Sequence, residues 1–300
     1  MKLLARDIML NPIYWIDEIT NISSVCKKLM KMNRAFTNFA RHIVLQKSQH
    51  IEENCSSGTG VSNEDGDSEK KGLCFIDHVI TVLSKQMNSM TMDELTEHTI
   101  TMVTAAMDMS VMSLCIVLKL LGLHADVQDR VVKEQKDIFG HDWGSSVTPE
   151  DLRRMVYLEQ VMKETFRLFP VIPLIVRNNS HELRLTTHTL PAGSSIAIPI
   201  YIVHRDPRNF TDPLPFDPDR FNPEAALGHH PFSIIPFSAG RRNCIGYMYA
   251  MMKLKTILST VLRKYEFLPC GSREAMESWD FNITLLLKNG YNVRFIPRKL

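Results

Sequence analysis

One stretch of this chain concentrates the residue types that do chemistry: Pro236-Phe237-Ser238-Ala239-Gly240-Arg241-Arg242-Asn243-Cys244-Ile245-Gly246. Its fixed positions read F-x-x-G-x-R-x-C-x-G, and each suits a loop that offers a thiolate to haem iron. Cys244 supplies a soft anionic sulfur, an axial ligand that pushes electron density toward the metal. Gly240 and Gly246 fall where a backbone must pass close to a flat macrocycle or turn with φ > 0. Phe237 offers an aromatic face to shield the sulfur, and Arg242 a planar fork that matches a haem propionate. From Tyr247 to Tyr265 the pattern turns helical, so the positive end of a helix follows the cysteine and favours its anionic form. The plain alternative is a free core cysteine in a glycine turn.

A second charged constellation precedes it. Glu164 and Arg167 stand three apart, on one face of a helix. His204-Arg205-Asp206-Pro207 and Phe216-Asp217-Pro218-Asp219-Arg220-Phe221 lie between that helix and the cysteine loop. His229-His230 has no neighbours to complete a metal ligand set, and Met248, Met251 and Met252 follow helical spacing as core residues do.

The positioning elements follow from periodicity. Residues 1–45 read as helical, and the polar clusters of 46–72 read as a flexible internal loop. Residues 92–123 form a long apolar helix, 125–140 another, and 148–169 a third opened by Thr148-Pro149-Glu150, a cap with Pro at the first helical position. Short strands are expected at 183–185 and 195–199, and a terminal hairpin over 283–295 around an Asn289-Gly290 type I′ turn. The order gives a mainly α (α+β) fold in one domain. The chain has 300 residues, 44% of them hydrophobic, enough for a sizeable core. A net charge of +2 makes no case for nucleic acid, and six cysteines without paired metal spacing suggest mostly free thiols in a reducing compartment. No run of 18 apolar residues is present. Val111–Leu123, interrupted by Ser113 and Lys119, reads as a buried helix.

The haem loop, Glu164-Thr165-Phe166-Arg167 as E-x-x-R, and the proline-rich meander with Pro218-Asp219-Arg220-Phe221, in that order, resemble the cytochrome P-450 monooxygenases, most closely family 4 with its fatty-acid hydroxylases and insect members. The resemblance covers nearly the whole chain but only the later part of the family pattern, and implies an N-terminally truncated member. It implies haem b held by Cys244, with Arg177 as a second propionate partner beside Arg242. It also implies a buried structural triad of Glu164, Arg167 and Arg220. The implied reaction inserts one oxygen atom from O2 into an apolar substrate (a fatty acid, steroid or xenobiotic). Electrons come from NADPH through cytochrome P-450 reductase, with cytochrome b5 as a further partner. The implied location is the cytosolic face of the endoplasmic reticulum membrane, in microsomes.

The long helix departs from the family pattern at Ala105-Ala106-Met107-Asp108-Met109-Ser110. Asp108 keeps the acid, but Met109 replaces the proton-delivering Thr, and a thioether cannot donate a proton. Ser110 is the substitute, one residue and about 100° further round the helix. Ala106 stands for the Gly that lets the helix open, and Ala105 for a Glu that esterifies haem in many family-4 members. Two other readings stay open. One is a reductase-independent peroxide isomerase, which can dispense with the Thr; the other is an inactive haem-binding remnant.

Overall fold

The computed structural model describes residues 11, 23–56, 74–85, 90–226, 228 and 230–298. The chain divides into two compact units, Met1–Met107 and Asp108–Leu300.

The first unit holds α1 (Ser24–Ser56), α2 (Phe75–Lys85) and the first half of α3 (Met92–Leu123). Lys47 pairs with Asp77 at 3.0 Å and ties α1 to α2. Arg41 pairs with Asp93 at 2.5 Å and ties α1 to the start of α3. Thr91 and Glu94 open α3 with a reciprocal capping box: the Thr91 N–H donates to Glu94 Oε2 at 2.7 Å, and the Glu94 N–H to Thr91 Oγ1 at 3.2 Å. Helix α1 runs on to Ser56, so the expected loop over 46–72 is corrected in its first part. Gln46, Lys47, Gln49, Glu52 and Glu53 are polar but good helix formers, and polarity alone does not end a helix. The rest of that segment, 57–72, lies outside the described residues.

The second unit carries α4 (Ala125–Phe139), α5 (Pro149–Arg154), α6 (Val156–Leu168), α7 (Ile200–Val203), α8 (Pro223–Ala226) and α9 (Tyr247–Lys264). The strands are β1 (Ile175–Asn178), β2 (Leu183–Arg184), β3 (Thr189–Leu190), β4 (Ser195–Ile198), β5 (Tyr265–Leu268), β6 (Trp279–Asn282), β7 (Thr284–Leu287) and β8 (Arg294–Pro297). They pair antiparallel as β1–β4, β2–β3, β5–β8 and β6–β7. A mainly α fold with small sheets is what the sequence predicts. Ile116, Val117, Leu120 and Leu121 of α3 are fully buried in one cluster with Val131, Leu158, Val161, Leu258 and Leu262. Helix α3 is also long and apolar enough, by length and composition, to cross a membrane.

Two expectations fail on turn chemistry. The helix expected over 148–169 breaks at Met155 (φ −77°, ψ 70°) into α5 and α6. Thr148 and Asp151 form the expected capping box of α5, but α6 has no cap of its own. Its amides at Tyr157 and Leu158 donate instead to Glu134 of α4, at 2.5 and 3.0 Å. The terminal hairpin over 283–295 is not formed. β7 pairs back with β6 through a turn at Ile283 (φ +59°), and β8 pairs with β5. A type I′ turn needs φ > 0 at both central residues. Gly290 has φ +70°, but Asn289 stays at negative φ and its side chain binds the Ala275 carbonyl at 3.2 Å.

Candidate functional site

Glu164 and Arg167 project from α6 into a space with no solvent: both side chains are fully buried. Arg167 forks onto the carboxylate through Nε (2.6 Å) and Nη2 (2.7 Å), then spends Nη1 on the carbonyls of His204 (3.0 Å) and Pro213 (2.7 Å). Glu164 also accepts the Asp217 N–H at 3.0 Å. Burial pushes its carboxyl above the ordinary range, against the opposing pull of Arg167, the Asp217 amide and Arg220. Arg220 completes the triad loosely, its Nε 3.6 Å from Glu164 Oε1. Its stronger bonds are at 2.5 Å, to the carbonyls of Thr211 and Asp212. The three residues thus fasten α6 to an irregular segment that would otherwise leave buried carbonyls unpaired.

His204 carries this frame to the cysteine loop. It is completely buried. Nε2 accepts the Ile235 N–H at 2.8 Å, and Nδ1 lies 3.3 Å from the Arg167 carbonyl. Burial lowers its pKa to about 4, against the opposing hydrogen bonds of the Arg167 and Phe166 backbone and with a smaller push from the Arg167 charge in the same direction. From Ile235 the loop closes on itself. The Ser238 N–H donates to Ile235 O and the Cys244 N–H to Phe237 O, each at 2.9 Å. Gly240 takes φ +75°, the left-handed conformation expected of it, and opens a short 3-10 turn over Gly240–Arg242. Gly246 has an ordinary φ of −86°, so of the two roles expected of it, close approach or φ > 0, the second is absent; a Cβ there would stand 3.8 Å from Cys244 Sγ. The Ala250 N–H donates to the Gly246 carbonyl at 2.8 Å and starts α9, two residues past the cysteine.

The side chains of this loop divide by direction. Cys244 is exposed, Ile245 beside it is 90% exposed, and Met248 and Tyr249 follow in the same state. Arg241 and Arg242 are exposed. The Phe237 ring packs edge-on against Phe166 (5.8 Å) and Tyr247 (4.8 Å), and its carbonyl is what ties it to Cys244. Arg177 of β1 does reach the loop: its Nη2 donates to Ser238 Oγ at 2.7 Å. Ser238 itself sits at φ +63°, a strained conformation for a residue with a Cβ. Behind the loop lies a cavity of about 380 Å³ lined by Ile235, Pro236, Phe237, Phe221 and Met251.

Asp108 and Ser110 occupy the α3 half that belongs to the second unit; Asp108 is half-buried and Ser110 buried. The Tyr291 hydroxyl accepts the Leu287 N–H at 3.1 Å and donates to the Leu285 carbonyl at 3.3 Å. Burial raises the pKa of that phenol against the opposing pull of the Leu287 amide. His229 lies outside the described residues, and His230 accepts the Phe232 N–H at 3.1 Å. Sequence reasoning missed two members of this site, His204 and Ser238. The first was legible only as one letter of His-Arg-Asp-Pro, and the second carried no signal.

The site's chemistry agrees with what the chain resembles. A sequence model described as Cytochrome P450 matches residues 3–295. "Probable cytochrome P450 4aa1" of Drosophila melanogaster is 34% identical over 297 residues, 99% of this chain and 55% of that protein. "Cytochrome P450 4c3" of the same fly is 38% identical over 230 residues, covering 77% of this chain and 43% of that protein. "Cytochrome P450 4V2" of Pongo abelii is 36% identical over 241 residues, covering 80% and 45%. The chain therefore spans about half the length of the curated relatives it matches.

Proposed function

The chain belongs to the cytochrome P450 family, most like its family 4, and from that membership we propose that it is one partial domain of a haem-thiolate monooxygenase acting on an apolar substrate. The observation that carries this is the cysteine loop. A thiol stands exposed on a turn fixed by the Cys244–Phe237 bond, beside exposed apolar Ile245 and two exposed guanidinium groups. This donor set fits haem b: a soft sulfur for iron, an apolar neighbour for the macrocycle, and cations for its carboxylates. Bound haem supplies the redox-active iron at which O2 is reduced and split.

The residues of this chain do the rest. Cys244 would hold the haem iron through its thiolate, beside the N-terminal amides of α9. Arg242 would hold a propionate, and Arg177 another if it turns from Ser238. Glu164, Arg167 and Arg220 keep the loop's support rigid without touching the reacting atoms. Asp108 and Ser110 of α3 form the proton relay, the task a Thr serves where the family pattern is intact. Electrons arrive from NADPH through a reductase, with cytochrome b5 as a further donor, at the cytosolic face of the endoplasmic reticulum membrane.

Adding haem, reducing it and recording the carbon monoxide difference spectrum tests the reading. The wild-type chain is expected to give the strongly red-shifted band of thiolate ligation, and Cys244→Ala to lose it. A thiolate band that survives in Cys244→Ala removes the ligand assignment. Met109 favours a second reading, rearrangement of peroxides without O2 or reductase. Turnover of a lipid hydroperoxide without NADPH supports it, and strict dependence on NADPH and reductase rules it out.

A further inference from the structure

We propose that His204 is the positioning residue of the Cys244 loop: it holds the Ile235 amide against the Glu164–Arg167 frame and so sets where Cys244 is presented. The inference rests on the haem-thiolate reading above for its consequence, but not for its geometry. An amide N–H can only donate, so the 2.8 Å contact makes His204 Nε2 the acceptor and leaves the ring proton on Nδ1, facing the Arg167 carbonyl. One tautomer alone satisfies both partners. An imidazolium would turn a donor toward the Ile235 N–H and break that bond. The groups that face the ring are Arg167, whose Nη1 also binds the His204 carbonyl at 3.0 Å, and Glu164 through Arg167. Burial, aided by the Arg167 charge, keeps the ring neutral well below pH 7.

Three facts make this bond decisive for the loop. Pro236, the next residue, has no N–H and offers no replacement. A cavity borders Ile235, Pro236 and Phe237, so packing of the loop there is incomplete. From Ile235 onward the backbone bonds run within the loop, Ser238 to Ile235 and Cys244 to Phe237, so a displaced Ile235 shifts the cysteine against the two side-chain ties that remain, Arg177 on Ser238 and Phe166 on Phe237. A histidine serving core packing alone would not need Nε2 aimed at the one amide that starts the loop.

Two variants of the full chain separate the roles. In His204→Gln the side-chain oxygen reaches the place of Nε2 and can accept the Ile235 N–H. In His204→Asn the amide stops at the place of Nδ1. Hydrogen exchange of the 235–246 peptide, read without haem, is expected to quicken roughly tenfold in His204→Asn, the loss of one buried hydrogen bond, and to stay near wild type in His204→Gln. After haem loading, His204→Asn is expected to move most of the ferrous carbon monoxide absorption from the thiolate band to the neutral-ligand band, and His204→Gln to keep it. Equal effects of the two variants, or an unchanged His204→Asn, overturn the proposal. If His204→Asn does not fold, His204→Gln decides alone, by keeping or losing loop protection and the thiolate band. A wild-type chain that takes up no haem sinks the haem-thiolate reading, while exchange still judges the positioning role.

Discussion

Met109 sits between a carboxylate and a hydroxyl, and it is the residue at which chemistry and family pattern part. Its sulfur has no proton to give, so in the proposed reaction proton delivery would fall to Ser110, from a different direction on the helix. Met109→Thr restores a hydroxyl between Asp108 and Ser110. Positioned proton transfer contributes about 10²–10⁴-fold to such steps, and a rise in NADPH-driven product formation of at least about tenfold is expected. An unchanged ratio of product formed to NADPH consumed would show that Ser110 already does the work. His204 makes a residue-scale prediction about acid. Its folded pKa of about 4 lies below the unfolded value near 6.5, so the unfolded chain binds the extra proton between the two. The stability it contributes is therefore complete above pH 6.5 and is lost as pH falls toward 4, by at most about 3 kcal/mol. Urea unfolding across that window should show a shallower decline in His204→Gln than in wild type. At this scale the turn around Cys244 was legible because its residues are adjacent letters. His204 was not, because its partners are backbone atoms of residues 167 and 235, which only the fold brings to it.

Helix α6 shows what periodicity alone reads and what it leaves out. The apolar spacing of 148–169 is continuous, with no Gly or Pro after Pro149 until Pro170, so nothing local marks a break at Met155. The break is sustained from elsewhere, by Glu134 of α4 accepting two amides at the new N-terminus. Glu134→Ala leaves the amides of half-buried Tyr157 and fully buried Leu158 unpaired, and a loss of about 2–4 kcal/mol in urea unfolding is expected, summing about 1–3 for each orphaned donor and allowing for water at one. Thr148→Ala, at an exposed cap of α5, is expected to cost only about 1 kcal/mol. Equal losses would mean that Glu134 is not what starts α6. The C-terminal strands teach the same lesson: Asn289-Gly290 is a strong local hairpin signal. It was overruled because β7 already had a partner in β6 and β8 another in β5. β7 and β8 were legible as strands, but their partners β5 and β6 and the pairing were not, since pairing depends on chain segments that return from a distance.

Across the Asp108–Leu300 unit, the Glu164–Arg167 pair works as a hub rather than as a strong bond. A buried ion pair is weak evidence for net stability, because both charges lose their water. What distinguishes this one is where the remaining donors go: Arg167 serves the carbonyls at His204 and Pro213, while Glu164 holds the Asp217 amide and draws in Arg220. The segment from Thr211 to Asp217 has no strand or helix of its own to satisfy these groups. Arg167→Met alone strands a buried carboxylate and its carbonyl partners, and a loss of about 3–5 kcal/mol is expected. Glu164→Gln with Arg167→Met removes the unpaired charge but not the orphaned carbonyls. The double variant should therefore recover part of the loss and remain below wild type, with a coupling of about 1–3 kcal/mol between the two sites. A double-mutant cycle by chemical denaturation measures it. Full recovery in the double variant would make the pair a self-contained bond. Partial recovery, with residues 204–217 exchanging faster than the helices, would show that the charge pair exists to organise the loop-rich half of the site.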